Sequence, residues 1–130
     1  MPETTPVSVL TGPVDAPALT RWLSEPAQAR TEVLVNRDSG PDVDHPRVAT
    51  FTDSVRHPMG GCLCCAPPGA LTRALRTMLP RARLGEIDRV VVVAGDARRV
   101  VAALAGDPVV AAVYRPAGTV GALTFSGLVV

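Results

Sequence analysis

The sequence predicts an α/β domain, a mostly parallel sheet with helices on both faces. Three observations carry that expectation. Arg89-Val-Val-Val-Val-Ala94 is an unbroken branched run, the pattern of a strand covered on both faces. Leu71, Leu75 and Leu79 stand at i, i+4 and i+8, one apolar stripe of a helix with Arg73 and Arg76 outside it. Strand-like and helix-like segments alternate along the chain, which implies right-handed crossovers and ligands at the carboxyl ends of the strands.

Taken in order, residues 1–6 carry two Pro and two Thr and read as a flexible tail, leaving 7–130 as the folded domain. Val7-Ser-Val-Leu-Thr11 is β-rich and stops at Gly12-Pro13. Leu19, Trp22, Leu23 and Ala27 fall at helical spacing and predict a helix from Ala16 to Ala29. Glu32-Val-Leu-Val-Asn36 follows as a strand, and Arg37 to Pro46, rich in Asp, Gly and Pro, as a surface loop. Val48 to Thr52 reads as an edge strand. Pro67-Pro68-Gly69 breaks the chain before the Leu71 helix, expected over Ala70 to Leu79. After the branched run, Ala97 to Ala105 reads as a helix, Pro108 to Tyr114 as apolar without a clear period, and Gly118 to Phe125 holds the last strand.

Composition narrows the function. Of 130 residues, 13 are Arg, none is Lys and 12 are acidic, a formal net charge of +1. A near-neutral balance gives no single-sign field, and four scattered aromatics form no stacking platform, so nucleic acid is not an expected partner. The charge-free stretch Pro116 to Val130 is too short and too broken by Gly and Pro for a bilayer, which needs about 20 apolar residues. No membrane partner is expected either. Met1 to Pro6 lacks a basic and apolar leader, so the expected location is cytoplasmic. Arg without Lys, beside abundant Ala, Val, Gly and Pro, has the coding bias of a GC-rich bacterial genome.

All three cysteines fall within Gly60-Gly61-Cys62-Leu63-Cys64-Cys65. In a reducing compartment such a cluster reads as metal or thiol chemistry, not as a disulfide framework. Cys62, Cys64 and Cys65 can present thiolates to one soft cation, zinc or cuprous copper, with zinc–sulfur bonds of about 2.3 Å. In extended chain Cys62 and Cys64 point one way and Cys65 the other, so three-fold ligation needs a turn. The flanking Gly and Pro residues supply places to bend. The tetrahedral shell is then completed by water, by His57 or His45, or by another chain. Buried free thiols and a thiol redox pair are the competing readings.

With these residues in view, the chain resembles the amino-terminal domain of the CobW-type metallochaperone GTPases of the CobW/HypB/UreG group. Val7-Ser-Val-Leu-Thr-Gly12 is similar to the strand entering the family's P-loop, and Glu32-Val-Leu-Val-Asn36 to the strand ending in its Asn-Glu motif. Gly61-Cys-Leu-Cys-Cys65 matches its Cys-x-Cys-Cys metal motif. Gly69-Ala-Leu-Thr-Arg-Ala-Leu resembles the helix after that motif, and Asp88-Arg-Val-Val-Val-Val93 the strand that normally ends in the acidic switch motif. The resemblance implies a shortened P-loop NTPase-like fold over 7–130, zinc as cargo at Cys62, Cys64 and Cys65, and a metal-receiving protein or a second copy as partner.

The departures decide the expected mechanism. A phosphate-binding loop reads Gly-x-x-x-x-Gly-Lys-Ser/Thr, because backbone amides cradle phosphate, Lys neutralises it and the hydroxyl holds magnesium. The frame from Gly12 places Pro17, Ala18 and Leu19 at the Gly, Lys and Ser/Thr positions. Asp15 puts a carboxylate where the family has Gly, and only Thr20, one residue on, offers a hydroxyl. Val93 replaces the switch acid, Arg37 replaces the Glu after Asn36, and neither a guanine motif nor the family's carboxyl-terminal domain follows. Gly12 to Thr20 is therefore expected to be a degenerate P-loop, with GTP binding and hydrolysis lost and no catalytic residue retained. Two alternatives remain: a pseudo-GTPase interaction module, with apolar Gly127-Leu-Val-Val130 as an interface, and an atypical GTP-binding metallochaperone.

Asp38, Asp42, Asp44 and Asp53 form an acidic loop whose simpler reading is turn chemistry. Gly118-Thr-Val-Gly121 is too short for a dinucleotide fingerprint and reads as a closely packed strand.

Overall fold

The computed structural model describes residues 4–11, 14–37, 40–52 and 69–121. They form five strands, β1 (Thr5–Thr11), β2 (Thr31–Asn36), β3 (Val48–Phe51), β4 (Arg89–Val93) and β5 (Tyr114–Gly121), and four helices, α1 (Ala16–Leu23), α2 (Ala70–Arg83), α3 (Ala97–Gly106) and α4 (Pro108–Val113). The sheet is entirely parallel, in the order β3-β2-β4-β1-β5. This is the predicted α/β class, a five-stranded sheet with helices on both faces.

The branched run lies at the centre. Val90, Val91 and Val92 are fully buried, because β4 pairs with both β1 and β2 and is covered above and below. Side-chain alternation splits the core in two. Val7, Val9, Leu34, Val90 and Val92 face α2, α3 and α4. Leu10, Val33, Val35, Val91 and Val93 face Leu19, Trp22 and Leu23 of α1. The division follows the path of the chain: it moves toward the β3 edge by way of α1, and back toward the β5 edge by way of the other three helices. Crossovers of one hand taken in opposite directions place their helices on opposite faces.

Several boundaries differ from the sequence reading, each for an identifiable physical reason. β1 begins at Thr5, inside the segment read as tail, because Thr5 and Pro6 find partners in Tyr114 and Arg115 of β5. α1 ends at Leu23 instead of Ala29. Glu25 precedes Pro26 and is extended (φ −69°, ψ 140°), as a residue before proline prefers, and a short 3-10 turn, Pro26–Gln28, follows. Arg47 then ties this corner together: its guanidinium donates to the carbonyl oxygens of Leu23 and Gln28, and to that of Thr31 at 3.3 Å. β3 is the predicted edge strand.

α2 runs on through Pro80 to Arg83, past the expected end at Leu79. Its apolar face continues to Met78 and Ala82, and Arg81 pairs with the buried Glu32 of β2, so tertiary contacts outweigh the amide that Pro80 lacks. The helix ends with Gly85 at φ 76°, where the Gly85 amide reaches the Ala82 carbonyl (3.1 Å) and the Glu86 amide the Arg81 carbonyl (3.0 Å). That double bond pattern needs a left-handed residue, which glycine adopts without strain. The uncertain apolar stretch is α4: Asp107 caps it, Pro108 starts it, and Val110 and Val113 are buried. β5 consequently begins at Tyr114, earlier than Gly118, with a bulge opposite Val7 and Ser8. Phe125 lies outside the described residues.

Candidate functional site

One cleft opens where a parallel sheet places its chemistry, at the carboxyl ends of the strands. It has a volume of about 320 Å³ and is bounded by Asn36 after β2, Phe51 at the end of β3, Ala94 and Gly95 after β4, and the first turns of α2 and α3. Phe51, Leu71, Val100 and Ala103 form an apolar wall, while Asn36, Thr72, Asp96 and Arg99 supply polar groups. A second hollow, about 880 Å³, lies at the amino ends of the strands between Thr5, Ile87, Arg83 and Arg115. Its position is the end that parallel sheets use for stability instead of chemistry.

Two helices start at the rim of the cleft, and they start differently. Asp96 caps α3, its carboxylate accepting from the Arg98 amide at 3.0 Å and lying 3.9 Å from the Arg99 guanidinium. α2 begins at Gly69, which is extended (φ −62°, ψ 164°) and brings no capping side chain. The first-turn amides of a helix have no partner within it, and no side chain at the Gly69 cap takes up those of α2, which stand at the positive end of the helix dipole. Thr72 is 8% exposed, lines the cleft, and its hydroxyl makes no hydrogen bond among the described residues.

The segment expected to be a degenerate P-loop, Gly12 to Thr20, leads into α1. Gly12 lies outside the described residues. From Val14 onward, Asp15 caps α1, and its carboxylate accepts from the Ala18 amide at 3.1 Å, with Pro17 in the first turn. Thr20, the remaining hydroxyl, donates to the Ala16 carbonyl at 3.0 Å inside the helix. Val93, expected where the resemblance would place a switch acid, is 2% exposed and packs in the α1-side core.

Cys62, Cys64, Cys65 and His57 lie outside the described residues, as do Asp38, Asp53 and Gly127 to Val130. The chain leaves the described part at Thr52, just after β3, and returns at Gly69, so both ends of the cysteine-bearing segment stand at the carboxyl end of the sheet. His45 precedes β3 at the other end, and its Nδ1 accepts from the Arg47 amide at 3.1 Å. Asp42 and Asp44 are exposed, and no group of three or more His, Cys, Asp or Glu side chains able to hold a metal occurs among the described residues. Among them, too, no helix is long and apolar enough to cross a membrane.

Sequence reading missed Gly69, Thr72 and Arg99 as site residues. A signal for Gly69 was present: Asp precedes the other three helices, at Asp15, Asp96 and Asp107, and Gly alone precedes the longest. Thr72 carried none, since a threonine in a helix meets a cleft only once the sheet order is known.

No family model, no curated protein and no solved structure matches the chain. The arrangement at the carboxyl end of the sheet therefore stands on its own geometry.

Proposed function

We propose that this protein is a cytoplasmic metal-holding relative of the CobW-type metallochaperones that works without nucleotide. Cys62 and Cys64 form the primary chelating pair and Cys65 supplies the third thiolate for a zinc cargo. The observation that carries the reading is the complete Cys-x-Cys-Cys run placed between β3 and α2. Three soft donors so close in sequence fit zinc, and a fourth position filled by an exchangeable group suits an ion that is handed on. Thiolates, not thiols, bind the ion, so uptake releases protons and weakens as pH falls. Transfer then proceeds by ligand exchange to a metal-receiving protein or to a second copy.

The start of α1 supports the loss of nucleotide. The Asp15 carboxylate holds a first-turn amide that a phosphate would need, Pro17 has no amide hydrogen to offer, and no Lys exists to neutralise the charge. Equilibrium dialysis with metal analysis under reducing conditions tests the reading. Zinc should be retained by the wild-type protein and lost when Cys62, Cys64 and Cys65 are replaced by Ser, while GTP with magnesium gives no calorimetric heat. Equal zinc in both proteins overturns the metal site, and saturable magnesium-dependent GTP binding overturns the nucleotide-free mechanism.

A further inference from the structure

We draw no further inference here: the strongest candidate, the outward apolar face of α3 and α4 on which Val101 and Val109 are exposed, is an unpartnered helix surface, and nothing among the described residues shows what covers it.

Discussion

At the start of α1 the Asp15 carboxylate takes the Ala18 amide; at the start of α2 Gly69 brings no side chain, and Gly69, Thr72 and Arg99 line the cleft there. The two helices are alike otherwise, each leaving a parallel strand system at its carboxyl end with an apolar face against the sheet. In α1 the positive helix end is neutralised from within, which favours stability and excludes an outside anion. In α2 the cap residue supplies no such group.

The open start of α2 is affordable because the rest of the helix is tied down. Arg81 pairs with Glu32, Arg76 with Asp107, the Tyr114 hydroxyl donates to the Leu75 carbonyl at 2.8 Å, and Gly85 closes the carboxyl end. The largest expected effect therefore comes from cutting a tie. Arg81→Ala leaves Glu32, with its side chain 9% exposed, without its cation. Because half of the Arg81 side chain is exposed, the expected loss is about 2 kcal/mol, below the cost of breaking a fully buried pair. Urea denaturation measures it, and an unchanged midpoint shows that α2 does not depend on this anchor.

A smaller effect separates the two helix starts directly. Asp15→Ala should destabilise the fold by about 1 kcal/mol, and Gly69→Asp should stabilise it by up to about 1 kcal/mol, because the first removes a cap and the second adds one. Thermal melts of both variants check the pair of signs. If Gly69→Asp is neutral or destabilising, the first turn of α2 is already satisfied, and the contrast with α1 fails.

The smallest effects appear only at extreme pH. Burial, opposed by the nearby Arg81 charge, pushes the Tyr114 phenol from 10.0 up to about 12. Its contribution to stability is complete below pH 10.0 and is lost as pH rises from there through about 12. The chain has one tyrosine, so ultraviolet difference titration reads it alone; a native midpoint near 10.0 means the phenol is not held under α2. Asp107 moves the other way. Desolvation raises its pKa, but the Val110 amide, the Arg76 guanidinium and the Val109 amide outweigh it and hold the carboxyl below its ordinary value. Its stabilisation is complete above the ordinary carboxylate range and is lost as pH falls through the lowered pKa, so Asp107→Asn should flatten the acid limb of a stability profile.

Much of the architecture was legible beforehand because it rests on local signals. The branched Val90 to Val93 run marked a strand covered on both faces, and the Leu71, Leu75, Leu79 stripe marked a helix, since hydrophobic period follows directly from backbone geometry. Boundaries were legible only where no distant contact competed. Pro26 ended α1 as proline should, yet the sequence spacing of Leu19 to Ala27 had suggested more helix. Pro80 did not end α2, because Ala82 packs in the core and Arg81 meets Glu32, a residue 49 positions away. Tyr114 began a strand because Thr5, at the far end of the chain, offered it a partner.

The amino-acid sequence by itself determined the class of fold, and it supplied the two features on which the proposed function rests: the soft donors Cys62, Cys64 and Cys65, and the absence of lysine. These depend on side-chain identity and short spacing, which need no third dimension. Only the tertiary structure decided the order β3-β2-β4-β1-β5, and with it the cleft in which Asn36, Phe51, Thr72 and Arg99 meet. The reason is physical. Strand order comes from which buried faces find one another across the whole chain, and no local pattern records the answer.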